Sequence, residues 1–319
     1  MKIHPWKGAG RTGLPASGRR VALLGIMVAG LLVTAADAPA RYPTPEAAAA
    51  SLDLLAAAGD VPGIVALFGA GGEGLVNPDP VEGAKELRDF ATAYGAAHRL
   101  TATAPDRRVL EIGDAFIPFP VPLVERDGWW VFDAAAGREE ILNRRIGRNE
   151  LAVLDVVRTY VTAQREYAGR DRDGDSVLEY AQRIRSRPGQ RDGLYWPPGD
   201  DLELSPLGPL VADAQAAGYR MSADAEGPRP PFHGYYFKVL TRQGPHAPGG
   251  SYSYVINGNM IGGFALVAWP AVYGETGVMT FVVNQQGVVY QKDLGPRTAA
   301  VARRMQRYDP DATWSPSPD

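Results

Sequence analysis

Residues 148–170, RNELAVLDVVRTYVTAQREYAGR, place Leu151, Leu154, Val157 and Val161 three and four positions apart. That spacing predicts an amphipathic helix over 149–168. Four apolar runs follow it: HGYYFKVLT, GGFALVAW, GVMTFVVN and GVVYQKD. Glycine and proline punctuate these runs, and Asn284 to Gly287 forms a tight connection between the last two. A strand run with one inward face needs an apolar cover, and the helix just upstream supplies one. Strands this close in sequence favour a meander, because loop closure then costs little entropy. The expected result is one helix on a four-stranded antiparallel sheet, with a further short helix near 206–217.

The segment upstream reads differently. Thr44 is a suitable N-cap, Pro45 suits a first helical position, and Gly59 suits the end. Asp60 caps a second short helix through Phe68, and a third helical pattern spans about 81–94. The period then changes to strands in RRVLEIGD and AFIPFPVPLVERDGWWVFD, with Asp127-Gly128 as a hairpin signal. Helices followed by a curved hairpin sheet are similar in order to the cone-shaped nuclear-transport-factor-like fold. The chain as a whole is therefore expected to be α+β, with an N-terminal domain over 41–146 and a C-terminal domain over 147–307. The Pro-rich end, 308–319, is expected to be a flexible tail.

Composition bears on location and on partners. Arg11, Arg19 and Arg20 precede the apolar run VALLGIMVAGLLV, and small residues end in Ala38-Pro39-Ala40. That order is an export signal over 1–40, with cleavage expected after Ala40 and a periplasmic or secreted destination. The run is short for a bilayer span, so membrane contact is expected only through an uncleaved leader. Sec and twin-arginine routes both remain open. The leader holds five of the 33 Lys/Arg and one of the 36 Asp/Glu, which leaves 28 bases, 35 acids and a net charge of −7. Such a surface gains nothing from counterion release, which argues against nucleic acid as a partner. Cysteine is absent. Disulfides, thiolate metal sites and cysteine nucleophiles are thereby excluded, and stability must come from the core.

Several blocks together, RRIGRNEL, AQREYAGRDRDGDSVLEYAQ, DGLYWP, SPLGPL, HGYYFKVLT, GGFALVAWP and TGVMTFVVNQQGVVYQKDLG, resemble a bacterial family catalogued as domain of unknown function 2950. The resemblance covers nearly the whole chain after the leader. It implies an exported bacterial protein and assigns no activity. The C-terminal half alone also resembles the globular region of type IV pilins and pseudopilins, without their hydrophobic assembly stem.

Candidate sites are few. In DRDGDSVLEYAQ, Asp171, Asp173, Asp175 and Glu179 fit positions 1, 3, 5 and 9 of a calcium loop. Ser176 stands where glycine is usual, and Gln182 stands where a bidentate glutamate is needed, so any calcium affinity is expected to be weak. The competing reading is a capping box, with Ser176 as N-cap and Glu179 three residues on. Tyr195, Trp196, Trp269 and Tyr273 fall in Pro/Gly-rich stretches, where rings could stack on a glycan or on an envelope protein, or else seal the sheet. After the leader only His98, His233 and His246 remain, with no H-E-x-x-H and no G-x-S-x-G motif. GAGGEG at 69–74 follows a helix rather than a strand, which argues against a dinucleotide loop. Three functions follow: a non-catalytic envelope protein that binds or helps to assemble something, a glycan- or peptidoglycan-binding module, and a secreted hydrolase with an unrecognised site. The first has the most support, because no signature of catalysis emerges.

Overall fold

The structure, a computed structural model, describes residues 38–199, 203–219 and 230–318. Most of the expected leader therefore lies outside the described residues. Among these residues no helix is long and apolar enough to cross a membrane.

Helix α1 (Pro45–Ala58) starts where Thr44 accepts a hydrogen bond from the Ala47 amide at 3.1 Å, and it ends at left-handed Gly59. Helix α2 (Val61–Phe68) is capped by Asp60 and α3 (Pro80–Ala96) by Asp79. An antiparallel sheet follows, built of β1 (His98–Ala104), β2 (Arg107–Ile112), β3 (Ile117–Pro118), β4 (Leu123–Arg126) and β5 (Trp129–Phe132). Its order is β1-β2-β4-β5, with β3 on β2. Asp127 and Gly128 both have positive φ, the geometry of the expected hairpin turn.

Helix α4 (Ala134–Tyr167) begins well before the expected 149 and runs straight through the boundary drawn at 146. The upstream stretch, REEILNRR, is rich in strong helix formers and carries an i,i+4 pair, Glu140–Arg144 at 2.6 Å. Gly137 does not break the helix. A Cβ there would come within 2.8 Å of the Val121 backbone, so this glycine allows close packing on the strand side. The helix spans about 50 Å at 1.5 Å per residue. Its buried face is Val153, Leu154, Val157, Tyr160, Val161, Gln164 and Tyr167. Leu151, expected in the stripe, is 67% exposed. At 100° per residue it sits about 130° from the centre of that face.

Helix α5 (Gly208–Ala217) occupies the expected short helical segment. Beyond it, β6 (Tyr235–Leu240) is followed by two small hairpins. They are β7 (Arg242–Gln243) with β8 (Tyr252–Ser253), and β9 (Val255–Ile256) with β10 (Asn259–Met260). The chain then rejoins the sheet with β11 (Ala265–Pro270), β12 (Met279–Asn284) and β13 (Tyr290–Asp293). These strands are antiparallel neighbours in chain order. Tyr160 of α4 donates its hydroxyl to the Ala265 carbonyl at 3.1 Å and so fixes the helix on β11.

Every residue of β11 is buried, because helix α6 (Thr298–Arg304) also packs against that strand. One expectation about this half is corrected: the terminal segment is not a loose tail. Tyr308 is 1% exposed, and β14 (Ser315–Pro316) adds to the edge of the sheet at β13.

One apolar cluster unites α4 from Val153 onward, the 180–211 segment and the C-terminal sheet. Another unites α1, α2 and the N-terminal sheet with the first turns of α4. A small third cluster, Ala49, Tyr94 and Leu110, lies beside the second, and one continuous helix joins the two larger cores within a single compact unit of the described residues.

Candidate functional site

The aspartate loop is well formed. Asp171 accepts backbone N–H groups from Gly174 and Ser176, both at 2.8 Å, and these hold its carboxyl below the usual range. Ser176 adopts φ of 67°, the left-handed geometry that a calcium loop asks of its sixth residue. Asp171, Asp173 and Asp175 each offer a carboxylate oxygen, all within 4.8 Å of one another, and could contribute ligands to a cation. No helix follows Ser176, so the capping-box reading is overturned. Instead the chain runs extended to a bridge between Tyr180 and Met260. Asn259 donates to Asp175 at 2.6 Å, and the Met260 amide donates to Glu179 at 2.8 Å. Those bonds tie the loop to the β9–β10 hairpin, which removes the need for a helix cap. Burial, with Asp173 and Asp175 nearby, pushes the Glu179 carboxyl up.

The four aromatic residues do not form a common face for a ligand. Tyr195, Trp196 and Trp269 are 6%, 6% and 5% exposed and belong to the C-terminal core. Trp269 lies inside β11 rather than in a loop. Trp196 touches a cleft of about 360 Å3 formed by 185–199, but Arg172 and Arg191 already stand over its ring at 5.7 and 5.6 Å. Tyr273 is half-buried and donates to Asp293 at 3.1 Å.

The histidines separate. His98 stacks on Tyr94 at the end of α3, and exposed His246 bonds half-buried Asp309. His233 faces Glu82 at 3.1 Å, beside the Tyr219 hydroxyl that donates to Asp79 at 2.8 Å. The His233 hydrogen bond holds the Glu82 carboxyl below its ordinary value. This cluster ties the start of α3 to the segment before β6.

A larger, half-open cavity lies elsewhere, at the N-terminal core. It holds about 560 Å3 between α1, α2, the 75–77 segment, α3, the 112–120 turn and the 141–148 stretch of α4. Leu52, Ile64, Phe68, Leu87, Phe90 and Phe119 line it. Its charged residues divide by depth. Arg144 and Arg148 are exposed and paired, with Glu140 and Glu86 respectively. Exposed Asp89 is paired with Lys85 at 2.7 Å. Arg145 is 1% exposed and lines the same space. One terminal nitrogen, Nη2, donates to the Leu75 carbonyl at 2.9 Å, whereas its Nε has no partner. Burial lowers the proton affinity of this guanidinium. It still remains charged, since arginine starts so high.

Residues 40–316 match the family described as Protein of unknown function (DUF2950). The chain belongs to that family. No curated protein and no solved structure matches it. The family description names no activity, so the chemistry of this DUF2950 protein rests on its own geometry. Sequence reading missed the cavity. The signal was present in ILNRRIGR, where a charged pair interrupts an apolar helix face. A residue whose neighbours at helical spacing, Ile141 among them, line the same apolar space is placed to be drawn inside with them.

Proposed function

We propose that this DUF2950 protein is an exported, non-catalytic binding module whose N-terminal cavity holds a small, largely apolar ligand. The observation that carries this reading is the 560 Å3 largely apolar cavity, against an apolar cleft of about 110 Å3 in the other half. Native cores leave few voids larger than a water molecule, and ligand sites are concave, mostly apolar and of this size. The lining holds no histidine, serine, threonine, tyrosine or lysine, which supports binding rather than catalysis at this site. The export leader supports an envelope location, where apolar molecules need carriers or sensors.

The test is binding of a neutral apolar probe, N-phenylnaphthylamine, whose emission rises in a dry pocket. The wild type is expected to bind it saturably. Leu87→Trp, which fills the cavity from α3, is expected to lose that binding and to melt at a higher temperature. Equal probe binding by both proteins would overturn the reading.

A further inference from the structure

Resting on the cavity reading above, we infer that the natural ligand is an amphiphile with a single oxyanion headgroup, held by Arg145 while its apolar body fills the cavity. The argument begins with charge. A buried cation without a counter-ion is costly, and proteins normally pair such groups. Arg145 has one backbone hydrogen bond and no ion pair among the described residues. The carboxylates that act on it through space are Glu86, which is already bound to Arg148, and Glu275.

The arrangement is therefore a buried guanidinium with one unpartnered N–H, on a residue that borders an apolar space large enough for a ligand. A neutral ligand would leave that N–H and that charge unanswered. A dianion or polyanion would leave charge unmatched in an apolar cavity. A single carboxylate head, or a phosphate monoester head in its monoanionic form, followed by an apolar body, satisfies both ends of the site. The paired charges of Arg144, Arg148, Glu86 and Asp89 need nothing further, and Asp114, the other charged residue of the lining, is exposed to solvent, so the buried demand falls on Arg145.

Calorimetric titration of the full chain with dodecanoate, dodecyl phosphate and dodecanol tests this. At least one acid is expected to bind at least about tenfold more tightly than dodecanol, the range of a charge-assisted hydrogen bond. Which acid binds better separates a carboxylate from a phosphate source. Arg145→Met, which keeps the volume, is expected to erase that preference while changing dodecanol binding less than about threefold. A second readout needs no variant. Dodecanoate binding to the wild type should weaken as pH falls through the acid's own pKa, and dodecanol binding should not. Equal affinities for all three molecules, unchanged in Arg145→Met, would overturn the headgroup inference and leave the cavity reading standing. Binding of none of the three, with no probe binding either, would remove both.

Discussion

The two halves of this molecule each bury an arginine, and the arginines are treated differently. In the C-terminal half the Arg172 side chain is 5% exposed. Its Nε lacks a partner, as that of Arg145 does, but it stands over the Tyr167 ring at 4.7 Å, donates to the Tyr167 carbonyl and lies 3.6 Å from Glu203. In the N-terminal half Arg145 is buried as deeply, with a backbone carbonyl but no carboxylate bound to it. The apolar clefts of the two halves differ as well. The one between α4, α5 and β11 holds about 110 Å3, against about 560 Å3 in the N-terminal core, and the 360 Å3 cleft at Trp196 is lined largely by polar surface residues such as Arg185, Arg187 and Gln190. One half has a large apolar core and pairs its buried arginine inside the chain. The other is hollow, with a charge left for something from outside.

The largest test of that contrast is a matched pair of truncations. Phe281 is 1% exposed in the C-terminal core, and Phe281→Ala should cost about 3–5 kcal/mol by urea denaturation. Phe90 is half-buried and faces the cavity, so Phe90→Ala should cost only about 1–2 kcal/mol, because fewer atoms surround it. Equal losses would mean that the N-terminal half is as tightly filled as its partner.

The two arginines should also part in sign. Arg145→Met removes an unanswered buried charge and should stabilise the ligand-free protein by about 1–2 kcal/mol, the loss of one hydrogen bond included. Arg172→Met breaks an ion pair and should destabilise by about 1–3 kcal/mol. Thermal melts of both variants check this, and a shared sign would break the comparison.

A smaller effect concerns how the halves are joined. Glu82 faces His233 and Tyr219, with Asp79 and Lys85 near it. Its folded pKa lies below the ordinary 4.5, chiefly through the His233 hydrogen bond. The unfolded chain therefore binds the proton more readily. The contribution of Glu82 is present in full above pH 4.5 and is lost as pH falls through the folded value. Stability measured from pH 6 downward should fall below about pH 4.5, less steeply in Glu82→Gln. Identical slopes would show that this contact does not hold the halves together. The smallest expected change is Leu151→Ala, within about 0.5 kcal/mol for a residue this exposed, against about 2–5 kcal/mol for Leu154→Ala.

That last pair shows where sequence reading succeeds and where it stops. Caps and turns were legible at Thr44, Gly59, Asp60 and Asp127-Gly128, because each acts through its own backbone. The helix stripe was legible in period but not in phase. Leu154, Val157 and Val161 face the core, but Leu151 does not, since the face is centred on Val157 and Gln164 by tertiary contacts. The burial of both faces of β11 depends on α6, some thirty residues downstream, and the place of β14 depends on β13. The aspartate loop showed its ligand-type residues in sequence, but its anchors at Asn259 and Met260 lie more than 80 positions away. The cavity is the extreme case. It is a space between six segments, and a linear pattern records only what lines a space, never that it was left open.

The central claim, that the N-terminal core is built hollow around an anionic amphiphile, is most directly tested by a crystal structure of the full chain grown with dodecanoate. The account predicts density for the acyl chain among Leu52, Phe68 and Phe90, with a carboxylate oxygen about 2.7–2.9 Å from a nitrogen of Arg145, as expected for a charge-assisted bond. A collapsed, empty N-terminal core with Arg145 turned out to solvent would contradict it.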